Sequence, residues 1–546
     1  MQTKTKQPIL LISTIFAIAC FRILLAFQGF DLAEEGLTLT FYQQIFNDPQ
    51  SVEYSFVYWL SGIIGGVWLK IFPNAGLFSF RILGILVHLS SLVLMIAIFR
   101  KRLPDWILAL SCVILTLMFD FGVVAFEHIQ LSVVLGLAAF YLLIKGIEQN
   151  QRWILFFSGF LLAVNVFSRL PNLTLWVWIL LIPIFSTDRK KTWQQIGWVC
   201  MGLVVGVSAV FLTMLALGHI GFFINSIFMM FEVAKHPENP HSFVQLSRIF
   251  IQNYESVGKF GIILIALGGV MFLSLLFFKS RHRQWIKSLL VFIVFSSFWL
   301  WMNNRPYVFL LYALCFLVQA LLFLETHDKS LRRLILGSFI MMILLPIGSD
   351  FSTGNMALYS IWLAIPMVLW WGFLYIEIPP ILERTKHWFF VSMWVVFCGL
   401  QVVNIVNQAY FDKDSRSHKR YTIQHPIANY VFTTEFRADL MNQLISALNG
   451  HISPNDFVLT FEDIPMVHAI TQNRPFHHSP LPAYDSATFA KQLAHAEQTR
   501  SLPVVVQQHD TCTHNLGRVA AFNAFIEKHN YKVVWTNGDF SILMVE

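Results

Sequence analysis

Charged residues are scarce in this chain. Asp, Glu, Lys and Arg make up 13% of its 546 residues, whereas soluble domains carry about 25%. Hydrophobic residues reach 56%, and the mean hydropathy is +0.61. The deficit of charge indicates an integral membrane protein with many spans. The 53 Phe and 17 Trp residues suit lipid-facing helices and aromatic belts at the membrane interfaces.

The chain also lacks the cysteines for a disulfide framework. Of its six cysteines, only Cys512 lies in a polar region, and the other five lie in apolar segments. Internal repeats and low-complexity linkers are missing too. The first apolar run contains no small-residue cleavage site, so we expect a retained first span rather than a signal peptide.

The net charge of +7 does not indicate nucleic-acid binding, and we expect no nucleic-acid partner. Lys and Arg fall in short clusters between apolar runs, which is typical of cytoplasmic loops beside an anionic membrane leaflet. We therefore expect membrane lipids to be the partners of these charges. The clusters are 100–102, 188–191, 279–287, 329–333 and 383–386.

Apolar runs of about 20 residues predict 13 transmembrane helices. The segment 56–72 is short and Gly-rich, and counting it as a span would place the next basic cluster outside, against the positive-inside rule. We expect it to be a re-entrant or surface helix. The N-terminus is then cytoplasmic and the C-terminus outside. The predicted spans are 8–28, 77–99, 104–121, 128–147, 153–169, 171–187, 194–217, 259–278, 284–302, 306–324, 333–347, 355–376 and 388–407.

Beyond the last span the composition becomes polar. Residues 457–461 and 504–506 have the pattern of buried strands, 520–529 that of a helix, and 531–545 that of two strands joined at Asn537-Gly538-Asp539. The predicted fold class is an all-α polytopic membrane protein with a small C-terminal extracytoplasmic α/β domain. The predicted domains are 1–407 and 408–546.

Three carboxylates stand together directly after the first span, at Asp31, Glu34 and Glu35. Acidic side chains are costly at a membrane edge unless they have water or a partner, so they are candidates for a functional site. The alternative is a solvated acidic loop. The predicted topology places further polar residues on the same outer face as possible partners. They are Arg81, Asp120, Glu127, His128, Arg169, His236, His241, Arg248, Lys259, Arg305, Tyr307 and Asp350.

Charges of both signs on one face suit a reaction between a lipid-linked phosphate and an acceptor. Guanidinium groups bind a phosphate leaving group, and a carboxylate takes a proton from a hydroxyl or amine. Each arginine alone could be an interfacial anchor, but anchors have no reason to favour the outer face. The run His509–His514 has spacing compatible with a soft metal, but it lacks a second ligand pair.

This pattern resembles the polytopic GT-C glycosyltransferases, in the branch of protein O-mannosyltransferases and aminoarabinose transferases. In that branch an acidic pair follows the first span, as Glu34-Glu35-Gly36 does here, before an aromatic-rich surface helix with Phe41-Tyr42. In the family a later span opens with Arg-Leu, and here Arg81-Ile82-Leu83 occupies that position. The family also has a second acid on the outer side, and here Glu127 matches it. The first acid of the family pair is usually Asp, and here it is Glu34.

The resemblance implies inverting transfer of a sugar from a polyprenyl-phosphate donor to a lipid, glycan or protein acceptor. It implies a carboxylate base at Glu34 or Asp31, with Glu35 beside them and Glu127 orienting the acceptor or holding a divalent metal; no cofactor is otherwise implied. It also implies a bacterial inner-membrane enzyme with a periplasmic C-terminal domain. The arginines would bind phosphate, and His236, His241 and Asp350 would shape the sugar pocket.

Two other functions fit many spans and an outer acidic loop. A transporter or flippase of lipid-linked sugars would show repeated halves and binding at the midplane, and neither is evident in the sequence. An O-antigen polymerase or ligase usually places its large soluble part between spans, whereas here it is C-terminal.

Overall fold

The computed structural model describes residues 8–73, 76–118, 124–186, 188–237, 239–277, 307–349, 359–375, 380–409, 412, 414–453, 456–509 and 515–546. The predicted span 284–302 and the candidate residues Asp120, Arg305 and Asp350 lie outside this part of the chain. For Tyr307 only the backbone is described.

The described part of residues 8–409 is helical. Two 3₁₀ segments, Pro49–Tyr58 and Leu170–Leu180, interrupt the α-helices. The α-helices are α1 (Pro8–Ala26), α2 (Glu34–Gln44), α3 (Trp59–Ile71), α4 (Gly76–Phe99), α5 (Asp105–Leu117), α6 (His128–Gln149), α7 (Arg152–Val166), α8 (Leu181–Ile184), α9 (Arg189–Ala216), α10 (Ile220–Lys235), α11 (Phe243–Phe277), α12 (Tyr307–Glu325), α13 (Lys329–Leu344), α14 (Ala364–Trp370) and α15 (Pro380–Asn407).

Six helices in the described residues are long and apolar enough to cross a membrane: α1, α4, α6, α9, α12 and the Phe390–Asn407 part of α15. Shorter apolar helices accompany them, among them Asp105–Leu117 and Arg152–Val166. The structure therefore supports a multi-pass helical membrane protein. The predicted total of 13 spans is supported only in part.

The bundle has two chemically different ends. At one end, Arg102 after α4 pairs with Glu148 of α6 and donates to Ser330 of α13. At the other end, α1 leads into the acidic loop, defined as residues 27–36, and Arg81 near the start of α4 contacts that loop. We call these the basic end and the acidic end.

Helix α3 begins and ends at the acidic end. It follows Tyr58, whose ring stacks on His128 at the start of α6, and it precedes α4. Its thirteen residues bury Gly62, Gly65 and Gly66 against α2 side chains. With thirteen residues the helix is shorter than the roughly 20 residues of a full span, and its assignment as a re-entrant or surface helix stays a prediction.

The predicted span at 171–187 takes a different form. It is a 3₁₀ segment followed by a single α-helical turn. Pro171 and Pro183 lack the N–H groups that a continuous α-helix would use at those positions. Trp178 is fully buried and donates to the Gly337 carbonyl of α13, which fixes the segment in the bundle.

The C-terminal part is an α/β unit, as predicted. Its main sheet has the order β4-β3-β5-β7-β6, with β3 parallel to β4 and β5 and the other pairs antiparallel. The strands are β1 (Tyr421–Thr422), β2 (Phe432–Thr433), β3 (Phe457–Phe461), β4 (Arg474–Pro475), β5 (Val504–Gln508), β6 (Tyr531–Thr536) and β7 (Phe540–Val545). The helices are α16 (Glu435–His451), α17 (Met466–Thr471), α18 (Ser486–Thr499) and α19 (Leu516–Lys528).

The α/β unit packs directly on the acidic loop and α2. The Met466 N–H donates to the Leu32 carbonyl, and the Thr40 hydroxyl donates to the Pro465 carbonyl. A Cβ on Gly36 would lie 2.2 Å from the backbone nitrogen of Met466. Glycine at position 36 therefore allows α2 and α17 to approach backbone to backbone.

Candidate active site

Asp31 is buried in the acidic loop, three residues before the start of α2. Its two carboxylate oxygens accept from the N–H groups of Ala33 and Glu35, each at 2.8 Å. A carboxylate here satisfies N–H groups of the first helical turn and interacts favourably with the helix dipole. Burial, then the charges of Glu35 and Glu34, raise the pKa of Asp31 to about 8, against the two N–H donors, which lower it.

Glu35 forms a buried, bidentate ion pair with Arg81. Arg81 donates from Nε to Oε1 at 2.8 Å and from Nη2 to Oε2 at 2.6 Å. The remaining Arg81 donors reach the carbonyls of Ala26, Gln28 and Gly29. All five guanidinium N–H groups are therefore used within the chain, which leaves none for a phosphate.

Glu34 occupies a third environment. It is the first residue of α2 and is half-buried, in contrast to Asp31 and Glu35, which are 2% and 4% exposed. Its carboxylate is not part of the Arg81 pair. An acceptor molecule can therefore reach Glu34 more readily than either neighbour.

Glu127 is brought to the same end of the bundle. The residues before it pack on α4, where a Cβ on Gly84 would lie 2.1 Å from the Val124 carbonyl oxygen. The ring of Phe126 lies 5.9 Å from that of Tyr42 in α2, and the charge of Glu127 acts on the Tyr42 hydroxyl. The half-buried Glu127 thus faces the helix that carries the acidic cluster.

His128 and Arg169 lie close to each other beyond Glu127. The His128 ring stacks on Tyr58 at 3.9 Å between centroids, and the charge of Arg169 acts on His128. Arg169 is 5% exposed and donates to the carbonyls of Leu345 and Ile347, both at 2.8 Å.

A buried polar network, which the sequence did not predict, lies beside Arg169. It links Ser132, Asn165, Ser168 and Asn172, with Asn172 donating to the Ser132 hydroxyl at 2.8 Å. Buried polar groups inside a membrane bundle must be paired, and these hold α6 against the segment that carries Arg169. Isolated Ser and Asn residues in apolar runs give no sequence signal of such a network.

His236 and His241 lie in the turn between α10 and α11, against the α/β unit. Asn239 of this turn donates to the Asp485 carboxylate at 2.7 Å, and the charge of His236 acts on the same group. The His241 ring lies 6.1 Å from Tyr484. Within the part of the chain that the structure describes, these contacts join the turn to the C-terminal part.

Arg248 and Lys259 lie on the exposed surface of α11. Lys259 pairs with Glu255 of the same helix at 2.8 Å. Arg248 lines an open, mostly apolar groove of about 510 Å³ with Phe243, Val244 and Ile251. An apolar groove with one arginine is compatible with a lipid chain and its phosphate.

Buried charged residues of the C-terminal part hold the acidic loop, and no sequence pattern predicted them. Asp412 accepts from the Phe30 N–H at 2.9 Å and from the Thr433 hydroxyl at 2.7 Å, and it pairs with Lys419 at 3.2 Å. The Arg416 guanidinium donates to the carbonyls of Leu25, Gln28 and Ile405. These contacts span almost 400 residues of sequence, so local patterns could not reveal them.

His509 belongs to the run that suggested a soft metal. Its Nδ1 lies 2.8 Å from the Gly538 carbonyl oxygen, and its Nε2 lies 2.7 Å from the Ser541 hydroxyl. Both ring nitrogens are thus engaged within the protein. The remaining residues of the run, 510–514, lie outside the described residues.

Comparisons with known proteins give structural neighbours only. No protein-family model and no curated protein matches the sequence. Among solved structures, an oligosaccharyltransferase of Archaeoglobus fulgidus, tethered to an acceptor peptide, matches with a TM-score of 0.44 and 10% identity, over 90% of this chain and 69% of that one.

ArnT of Cupriavidus metallidurans matches in two states. Its apo structure gives a TM-score of 0.42 and 12% identity, over 97% of both chains. Its complex with undecaprenyl phosphate gives 0.41 and 12%, over 98% of this chain and 97% of that one. Both neighbours are GT-C fold glycosyltransferases, the class that the sequence resembles. Since every TM-score is below 0.5, we infer the function from the site geometry instead.

Proposed function

We propose that this protein is a membrane glycosyltransferase. It moves a sugar from a polyprenyl-phosphate donor to an acceptor hydroxyl or amine at the acidic end of the bundle, with inversion. The observation that supports the proposal is the packing of α2, which begins at Glu34, against Phe126 beside Glu127, with Arg169 next to His128. This end faces the periplasm, and the basic end faces the cytoplasm, if the positive-inside rule orients the chain.

Glu34 is the general base in this proposal. The Glu35 carboxylate is held by Arg81, and both Asp31 oxygens accept backbone N–H groups. A general base must be reachable by the acceptor, and Glu34 is the most exposed of the three acids. Asp31 is the alternative base, and it positions the first turn of α2 in either case.

Arg169 binds the phosphate. As the acceptor oxygen or nitrogen attacks the anomeric carbon, Glu34 takes its proton, and the bond from that carbon to the phosphate oxygen breaks. The polyprenyl phosphate then leaves with an added negative charge, which a buried guanidinium stabilises. A single displacement inverts the anomeric configuration. Glu127 and His128 orient the acceptor, and Arg81 holds the acidic loop rather than the phosphate.

In this proposal the other candidate residues surround the reaction centre formed by Glu34 and Arg169. The groove beside Arg248 holds the lipid chain. Lys259, Arg305 and Tyr307 are further substrate-binding residues of this proposal. Asp350 shapes the sugar pocket in this proposal, and His236 and His241 contribute the side of it that adjoins the α/β unit. The acceptor is a lipid, a glycan or a protein.

Release of undecaprenyl phosphate tests the proposal without knowledge of the acceptor. Membranes containing the full-length protein are incubated with a panel of radiolabelled undecaprenyl-phosphate sugars and an envelope extract as acceptor source. We expect sugar-dependent release for wild type and a loss of roughly 100-fold or more for Glu34→Gln, since a general base contributes about 10²–10⁴-fold.

Glu546→Gln is the matched control, because Glu546 pairs with Lys532 on the exposed surface of the C-terminal part. It should retain wild-type release. Wild-type activity in Glu34→Gln, Asp31→Asn and Glu35→Gln alike would reject a carboxylate base in this loop. Movement of intact donor across the membrane without release would favour the flippase alternative.

A further inference from the structure

We propose that Glu53, His478 and His495 form a zinc site that joins the membrane bundle to the C-terminal α/β unit. Glu53 belongs to the 3₁₀ segment Pro49–Tyr58 of the bundle. His478 follows β4, and His495 lies on α18. One ligand atom from each residue lies within 4.8 Å of the others.

The geometry is close to that of a bound metal. Tetrahedral zinc with bonds of about 2.0–2.2 Å places its ligand atoms about 3.4 Å apart. Glu53 and His478 are buried, whereas His495 is exposed and its side chain can move. A shift of about 1 Å, mainly of His495, would close the site around an ion.

His478 has an incomplete set of partners. Its Nδ1 lies 3.0 Å from the Gln50 carbonyl oxygen, while Nε2 is buried and has no hydrogen-bond partner in the described residues. A histidine that binds a metal commonly donates its other ring N–H to a backbone carbonyl. Nδ1 also lies 3.7 Å from Oε1 of Glu53. Either ring nitrogen can therefore supply the lone pair, and an ion bound by Nε2 would satisfy a nitrogen that is otherwise costly to bury.

Arg500 is a cation of the protein itself that competes with a metal ion for Glu53 and His478. Its Nη2 lies 3.2 Å from Nδ1 of His478, and its charge acts on Glu53. Its Nη1, however, is directed to the carbonyls of Pro475 and Phe476. The alternative to a metal site is therefore an ion network of Glu53 and Arg500, and the experiment must separate the two.

The donor set selects the class of metal. Two imidazoles and one carboxylate suit Zn²⁺, whereas Mg²⁺ and Ca²⁺ prefer oxygen ligands. Three protein ligands leave a fourth position for water on the exposed side of His495. Because the ligands come from both parts of the molecule, the ion would strengthen their association beside the acidic loop.

Metal content and thermal stability of the full-length protein in detergent test the site. The protein is stripped with EDTA and titrated with zinc or with magnesium, while bound metal is measured by mass spectrometry and Tm by fluorescence. We expect a zinc-to-protein ratio near one and a Tm that rises with zinc but not with magnesium.

Variants separate this site from adventitious binding. His495→Ala and Glu53→Gln should each weaken zinc binding by at least the roughly 10–100-fold that loss of a supporting group costs. His418→Ala removes another exposed histidine of the C-terminal part and should bind like wild type. The Tm of His495→Ala in EDTA should equal that of wild type, which shows that the variant folds.

Three outcomes would overturn the proposal. They are no zinc-dependent rise in Tm for wild type, an equal response to magnesium, or full zinc binding by the Glu53→Gln/His495→Ala double variant. The last outcome would show that zinc binds at an adventitious site and that Glu53 interacts with Arg500 instead of a metal.

Discussion

At the residue scale, three carboxylates within five positions experience three different environments. Asp31 accepts two backbone N–H groups, Glu35 pairs with a guanidinium, and Glu34 is half-buried. These three environments distinguish the roles of the three acids, which the sequence alone did not distinguish. Two predictions concern the acids that we do not assign as the base.

The first prediction concerns the pH dependence of stability. The pKa of Asp31 is raised from 3.8 to about 8, chiefly by burial, so its proton is bound more tightly in the folded state. This contribution is fully present below about pH 3.8 and is lost as the pH rises through about 8. We expect the Tm of wild type in detergent to fall between pH 7 and 9 more steeply than that of Asp31→Asn. Parallel curves would contradict this assignment.

The second prediction concerns the buried pair of Glu35 and Arg81. Removal of one partner leaves an uncompensated buried charge, which costs about 3–5 kcal/mol. Arg81→Ala and Glu35→Ala should each lower the Tm strongly, and the double variant should lose less than the sum of the two. Arg248→Ala, on the exposed surface of α11, should change the Tm little. Strictly additive losses would show that the two side chains do not act as a pair.

At the scale of elements, α2 is the component shared by both parts of the molecule. One face carries Phe41 and Tyr42 into the bundle, where they contact the glycines of α3. Another side meets α17, through Thr40, Gln43 and Gln44, whose side chains donate to carbonyls of the C-terminal part. A helix held on both sides fixes the orientation of the acids in its first turn.

The third prediction tests this packing. Gly36→Ala would place a Cβ 2.2 Å from the Met466 nitrogen, and a backbone atom cannot move aside without displacing α17. We expect a loss at or above the usual 1–3 kcal/mol of overpacking, seen as a lower Tm and faster proteolytic release of the C-terminal part. Gly258→Ala is the control, because no atom lies within 4 Å of its added Cβ. Equal proteolysis of both variants would reject the close approach of α2 and α17.

At the scale of the whole molecule, the sequence predicted what depends on local pattern. Long apolar runs predicted membrane helices, and the short apolar runs 457–461 and 504–506 and the segment 531–545 predicted the strands β3, β5, β6 and β7. The Gly-rich segment 56–72 contains α3, as its apolar pattern predicted, and its re-entrant or surface position stays a prediction from the basic loops. Composition and periodicity report burial along one element, so they succeed at this level.

Long-range partners could not be predicted in the same way. The bonds from Asp412 to Phe30 and from Met466 to Leu32 join residues far apart in sequence, and no local pattern encodes them. The sequence could place Arg81 near the acids but not show that Glu35 and three carbonyls use all its donors. It placed His236 and His241 near the site, whereas their turn contacts Asp485 of the C-terminal part.

In our proposal, the phosphate of the lipid-linked donor binds at the acidic end of the bundle. Electron cryo-microscopy of the full-length protein with undecaprenyl phosphate measures this directly, and Arg169→Ala provides the matched loss of the proposed ligand. We predict phosphate density against Arg169, beside Glu34 and Glu127, with the lipid chain in an apolar groove, and no such density in Arg169→Ala. Phosphate density at the basic end, or unchanged density in Arg169→Ala, would contradict the account.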